Sequence, residues 1–374
     1  MSAPRTVRVG LAALLVLLSG GLSACGTTGS PLPYTAGPRA AAPAPSPASA
    51  PAGPAAAAPG AQCVPRRSEQ PLEALTLPGA HAQRVAEIEE RRVLRVGVVA
   101  EARPFASMNW HTGVPEGFEI ELARAIARAI FGDPSRVEIH AVDTRDREKA
   151  LAEDDVDVVI GTMTMTCERK EKVNFSGVYF EASFTLLVSR NSGLSTVADL
   201  SGRRVCSSQG STSIGKILNL PGFPDDRPEP VPVSRVGSAD CLAALQRGEV
   251  DAVASDDTIL AGMEQQDPTV RVLGREAFAG ASAAELATLD EPYGMAVART
   301  DLGLTGPAAE ARRKADSDLV AFLNRMLLDM FTDGRWQQLY ADFLSDVPSI
   351  QARLPTERQP HWPDGQIGQV GQAG

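Results

Sequence analysis

The stretch DVVIGTMTMTCER, residues 157 to 169, decides how the rest of the chain is read. Val158, Val159 and Ile160 form an unbroken apolar run, the pattern of a strand buried on both faces of a parallel sheet. In open α/β sheets, ligand sites lie beyond the C-terminal ends of such strands. Past the run, Thr162, Thr164 and Thr166 offer hydroxyls at alternate positions, and Arg169 offers a planar fork of donors matched to a carboxylate. Such a set suits a small anionic, hydrogen-bonding molecule. The competing reading is an edge strand with polar alternation and a surface arginine.

On the N-terminal side, VLRVGVV (93–99) is a β-branched strand, and Glu116 to Phe131 carries Phe118, Leu122, Ile126 and Ile130 every four residues, an amphipathic helix stopped by Gly132 and Pro134. Val137 to Val142 predicts the next strand and Arg147 to Glu153 a short helix. The resulting β-α-β-α-β order implies a largely parallel sheet covered by helices. On the C-terminal side, Phe184 to Val188 ends in the polar residues 189 to 193, where a crossing to a second lobe is expected. That lobe would hold a strand at 204–207, a helix opened by Gly210-Ser211-Thr212-Ser213 and running to about Leu220, a helix carrying Cys241, and a strand at 250–254 ending in Ser255-Asp256-Asp257. Tyr293 to Ala298 reads as a return strand and Leu319 to Phe343 as helix interrupted at Asp333-Gly334.

With 374 residues and 43% apolar content the chain can bury the cores of two domains. The 46 acidic residues outweigh 36 basic ones, and no basic cluster is interleaved with aromatics, which argues against nucleic acid as a partner. Residues 1–24, with Arg5 and Arg8 before the apolar run Val9 to Leu18, have the three-part form of an export signal. Its end, Leu22-Ser23-Ala24-Cys25-Gly26, resembles a bacterial lipobox, which implies lipid on Cys25 and anchoring on the outer face of the cell membrane. Residues 25–65 are a tether rich in Ala and Pro, and 66–92 a helix-favouring lead-in. Residues 93–189 and 292–347 are assigned to lobe 1, 190–291 to lobe 2, and 348–374 to a loose tail.

Cys63, Cys167, Cys206 and Cys241 remain after Cys25. Outside the membrane an even count reads as two disulfides with three possible pairings. Neither a metal nor another cofactor is expected, because His81, His111, His140 and His361 are scattered and no Cys or His pair is close. Gly210 to Ser213 stands where a strand passes into a helix, leaving backbone N–H groups free for an anion. Two rival chemistries share this stretch. Gly210 to Lys216 satisfies G-x4-G-K, but Ile217 replaces the Ser or Thr that would meet magnesium; Ser213 to Lys216 is S-x-x-K, but the K-T-G part of a penicillin-interacting serine enzyme is absent.

Taken in order, TMTMTCERKEKVNFSGVYF (162–180), SSQGSTS (207–213), VDAVASDDTILAG (250–262), YGMAV (293–297) and DGRWQQLY (333–340) resemble the extracytoplasmic solute-binding proteins for polar amino acids, closest to actinobacterial glutamate- and glutamine-binding lipoproteins of ABC importers. The resemblance implies a two-lobed periplasmic-binding-protein (type II) α/β fold, its lobes joined by two hinge strands and closing on a ligand in the cleft. It implies that Arg169 grips the ligand α-carboxylate with Thr164, Ser208, Ser211 and Thr212, and that Asp256 pairs with the α-ammonium beside Thr162. Ala102 and Thr144 stand where the glutamine binders carry an aromatic clamp, whereas Thr144-Arg145-Asp146-Arg147 is similar to the stretch with which glutamate/aspartate binders hold a side-chain carboxylate, which points to Thr144 and Arg147. An acidic ligand is therefore expected to bind at least as well as an amide. The resemblance also favours pairing Cys206 with Cys241, which fall in one lobe, leaving Cys63 to Cys167. A monomeric receptor is expected, with an ABC permease or a membrane sensor as partner; an enzyme on the same fold is the remaining alternative.

Overall fold

In the computed structural model, residues 63–68, 83–109 and 111–351 are described, and all fall in the unit Ala61–Gly374. The signal, Cys25, most of the tether and residues 352–374 lie outside them.

The first pass of the chain gives α1 (Gln83–Arg91), β1 (Leu94–Val98), β2 (Ser107–Met108), β3 (Pro115–Glu116), α2 (Phe118–Phe131), β4 (Val137–Ala141), α3 (Arg147–Ala152), β5 (Val158–Val159), α4 (Cys167–Lys170) and β6 (Val173–Ser189). The second lobe contributes β7 (Arg204–Ser208), α5 (Ser213–Ile217), β8 (Val231–Arg235), α6 (Ser238–Gln246), β9 (Ala252–Asp256), α7 (Asp257–Gln266), β10 (Val270–Val272) and α8 (Ala283–Ala287). The chain returns through β11 (Asp290–Ala298), α9 (Gly306–Thr332), α10 (Arg335–Phe343) and α11 (Pro348–Gln351). Strands run in the order β4-β1-β5-β11-β6-β9-β7-β8, with β10 on β6. As the alternation of strands and helices predicts, β1 pairs parallel with β4 and β5, and β7 parallel with β8 and β9.

The crossing between lobes lies inside β6. Residues up to Ser183 pair with β11, and from Phe184 onward the same strand pairs with β9. The polar residues 189–193, where the crossing was expected, mark only the end of the strand. The change of partner falls at Glu181 to Ser183, a short polar interruption inside one unbroken strand, whereas residues 189–193 lie beyond its lobe 2 half. The second crossing is the start of β11, where Asp290 opposes Ser183. Each lobe has its own core. Phe105, Phe118, Tyr179, Phe180, Tyr293 and Trp336 pack together in lobe 1, where the Trp336 indole donates to Tyr179 O at 2.8 Å; Phe184, Leu186, Leu200 and Phe278 belong to lobe 2.

Three other boundaries differ from expectation. The helix after Gly210 stops at Ile217 rather than Leu220, and α9 begins at Gly306, well before Leu319, with Pro307 in its first turn. Residues 348–351 are a helical turn rather than loose tail, because Ile350 is buried against the lobe 1 core and Ser349 Oγ meets Glu264. The lead-in is helical over Gln83–Arg91, while residues 63–68 are a non-helical segment bound to lobe 1 by Cys63–Cys167; Cys206–Cys241 is the other disulfide.

Candidate functional site

The turn after β5 is shaped by a buried acid. Gly161 passes against Val99, where an added Cβ would lie 3.2 Å from a Val99 methyl, and Thr162 then takes the left-handed conformation at φ 45°. Its N–H is held at 2.6 Å by Glu119 Oε1, which also accepts from the Tyr179 hydroxyl. The turn aims Thr162 and Thr164 into the cleft, while Thr166 caps α4 by accepting from Arg169 N at 3.1 Å.

All the residues named from the sequence as ligand-binding line one cavity between the lobes: Thr144, Arg147, Thr162, Thr164 and Arg169 from lobe 1, and Ser208, Ser211, Thr212 and Asp256 from lobe 2. Ser213, Ser238, Ser255 and Ile259 complete the lining, and among the described residues no aromatic ring does. Ala102, at the expected clamp position, is buried in lobe 1 away from the cavity.

The cavity is lined by two cations, Arg147 and Arg169, and one acidic group, Asp256. Arg169 donates to Thr164 O at 2.7 Å and to Gly210 O at 2.9 Å; Arg147 approaches the same Gly210 O at 3.4 Å. Two guanidinium groups, 7% and 3% exposed, thus converge on one neutral oxygen. Burial first, and the Arg169 charge second, push Arg147 down to about 9; Arg169 is lowered chiefly by burial. Asp256, 5% exposed, accepts from Tyr293 Oη at 2.5 Å and is pushed up to about 8 by burial and then by the Glu291 carboxylate. Each of these buried groups would be relieved by a ligand group of opposite charge.

The lobes meet across this cavity. Arg145 Nη1 donates to Gln209 Oε1 at 2.8 Å, and Glu101 accepts from Ser238 N at 2.6 Å and Ala239 N at 3.2 Å at the start of α6. Gly210, at φ 75°, brings its backbone so close that a Cβ would lie 2.5 Å from Arg145 Cα, so only glycine permits this approach.

The Lys216 ammonium is bound by Glu291 at 2.6 Å and Thr288 O at 2.7 Å, which takes from the phosphate-loop and S-x-x-K readings the lysine they need. Arg147 departs from its expected geometry. Its Nε is committed to Thr144 O at 2.8 Å and its Nη1 to Gly161 O and Thr162 O, so Nη2, which meets Gly210 O at 3.4 Å, is the nitrogen held most weakly.

A family model for the bacterial extracellular solute-binding proteins, family 3, matches residues 94–346. The chain belongs to this family. It is 31% identical over 266 residues to the ABC transporter glutamine-binding protein GlnH of Bacillus subtilis (strain 168), covering 71% of this chain and 86% of that one. It is 29% identical over 238 residues to the glutamate-binding protein GluB of Corynebacterium glutamicum, covering 62% of this chain and 71% of that one. Among solved structures, the solute receptor for L-cysteine of Neisseria gonorrhoeae aligns with a TM-score of 0.61 at 22% identity, covering 74% of this chain and 99% of that one, a likeness of fold. Family 3 proteins are binding proteins, so this chain is a receptor and not an enzyme.

Sequence reasoning missed several residues of this family 3 receptor's site: Glu119, Ser238, Glu291 and Tyr293. A signal existed for Glu119, because Ala123 and Ala127 continue its row along α2 and all three are buried. Glu119 is pushed up to about 7 by burial, against the pull of its Tyr179 and Thr162 hydrogen bonds. Glu291 had no periodic signal, since it lies on a crossing strand that is buried throughout.

Proposed function

We propose that this receptor closes its two lobes on an L-amino acid with an acidic or amide side chain and presents it to the permease of an ABC-type importer, held to the membrane by lipid on Cys25. The observation that carries the reading is the pairing of opposite charges in one cavity: two buried guanidinium groups and a buried carboxyl group suit the α-carboxylate and α-ammonium of a zwitterion. In this reading Arg169, Thr164, Ser208, Ser211 and Thr212 hold the α-carboxylate, Asp256 and Thr162 the α-ammonium, and Thr144 with Arg147 the side chain. The names of GlnH and GluB support the ligand class. Calorimetry with the common L-amino acids tests it. Binding of L-glutamate, L-glutamine, L-aspartate or L-asparagine is expected, and absence of heat with all four would sink the assignment.

Because Nη2 is the Arg147 nitrogen held most weakly and would turn alone to the ligand, L-glutamate and L-glutamine should bind within about tenfold of each other, and Arg147→Ala should narrow any glutamate preference by about 1 kcal/mol, the difference between a charged and a neutral hydrogen bond. A preference unchanged by the substitution, measured by titration of both ligands, would remove Arg147 from side-chain recognition. L-arginine and L-lysine should be rejected, since their side chains would face the Arg147 charge.

The affinity should also depend on pH. Asp256 is protonated below about 8 without ligand, and only its carboxylate pairs with an ammonium, so binding at pH 7 expels most of one proton. Affinity therefore rises with pH up to about 8, by no more than about tenfold per unit, and then levels. Calorimetry in buffers of different ionisation heat measures the proton count; an affinity flat from pH 6 to 8 would show that Asp256 is already ionised.

A further inference from the structure

Residues 63–68, where the tether passes into the lead-in and which together form the tether end, are bound at three places to the folded receptor. Cys63 is bonded to Cys167, two residues before Arg169. Ser68 Oγ donates to Phe175 O at 2.9 Å and accepts from Asn324 Nδ2 at 3.0 Å, while Lys170 Nζ donates to Val64 O at 3.1 Å and to Arg67 O. Between these anchors Arg66 reaches the two strands on which the lobes turn. Its Nη1 meets Glu181 on β6, and its Nη2 lies 3.1 Å from Asp290 Oδ2 at the start of β11.

The register makes this contact specific. Glu181 opposes Pro292 and Ser183 opposes Asp290, so the two carboxylates are diagonal neighbours on one face of adjacent strands, where like charges repel. On the opposite face of the crossing, Glu291 is covered by Lys216 and by the Thr212 hydroxyl. Among the described residues, each face of the crossing thus meets one cation, Lys216 from lobe 2 on one and Arg66 on the other. We propose that Arg66 is a positioning residue for lobe closure, holding the two crossing strands in the closed arrangement from outside the ligand cavity. The tether end is then part of the closing mechanism, and the Cys63–Cys167 bond ties it to the helix that carries Arg169.

The proposal rests on the reading that the lobes close on an amino acid. Its test begins with ligand-free, full-length protein labelled with fluorophores at the exposed Glu138 and Glu229, one in each lobe. Energy transfer reports the separation of the lobes, and titrations with L-glutamate and L-glutamine report affinity. Arg66→Ala should shift the ligand-free protein toward lower transfer and weaken whichever of the two ligands the unaltered protein binds by about fivefold or more, within the usual range of coupling between distant sites. Adding Asp290→Asn to Arg66→Ala should recover part of both losses by removing the repulsion. Unchanged transfer with affinity inside twofold would overturn the proposal, as would a loss of affinity that Asp290→Asn does not relieve. Should Arg66→Ala not fold, Asp290→Asn alone leaves Arg66 with Glu181 and must shift transfer in the same direction; no shift overturns the brace. If the unaltered protein binds neither amino acid, the proposed ligand class fails, while the ligand-free comparison still decides the role of Arg66.

Discussion

Replacing Arg169 or Asp256 with alanine is expected to weaken amino-acid binding by about 2 to 5 kcal/mol, roughly 30-fold or more, while the protein still folds. Each substitution leaves an opposite charge of the ligand unpaired in a closed cavity, which is the costly outcome for buried ions. The effect on stability separates site from scaffold. Asp256 is buried beside Glu291 with its own carboxyl held above the ordinary range, first by burial and then by Glu291, so removing it takes away the cost of burying an acid that must be protonated to fold there and should leave the fold as stable or more so, less about 1 kcal/mol for the Tyr293 hydrogen bond. Arg169→Ala likewise relieves a buried cation that crowds Arg147. Titration and urea unfolding on the same preparations check both statements. Affinities within threefold of the unaltered protein for both variants would show that the cavity has been assigned to the wrong ligand groups.

Removing the Cys206–Cys241 bond by a double alanine substitution should cost about 3 to 4 kcal/mol of lobe 2 stability in the loop-entropy account, given the sequence separation of 35. The bond joins β7, which leads into Ser208, to α6, whose Ser238 hydroxyl lies 3.0 Å from Ser208 Oγ, so affinity should fall as well as stability. Cys63–Cys167 spans 104 residues and so has a larger nominal entropy, but residues 63–68 can leave the surface with both cores intact, so its loss should act on closure more than on unfolding. Urea midpoints of the two double variants decide this. A change below about 1 kcal/mol on losing Cys206–Cys241 would mean that lobe 2 needs no such constraint.

Much of the site was legible because it is local. The alternating threonines follow an apolar strand, Arg169 sits three residues beyond Thr166, and that hydroxyl caps the helix that aims it, so spacing along the chain is enough to place these groups together. Asp256, the last residue of β9, was singled out only through the family resemblance, since a carboxylate at a strand end has no local signature of its own. Arg147 shows the limit. Its type and position were readable, but how many of its N–H groups are free depends on the carbonyls of Gly161 and Thr162, which come from the turn after β5.

The α/β class and the β-α-β-α-β order of lobe 1 follow from the sequence alone, because periodicity and capping are properties of neighbours in the chain, while β8, α7 and β10 were not read from it and several candidate ligand groups needed the resemblance as well. Tertiary structure alone decided what happens where remote segments meet. It brought Arg147 and Arg169 onto the carbonyl of Gly210, more than 40 residues from Arg169, buried Glu119 behind Thr162, placed the crossing inside β6, and set Arg66 of the tether across Glu181 and Asp290. A hydrophobic period reports which face of an element is buried but not which partner covers it. A charge on that face therefore gains its role only when the opposing element is in place.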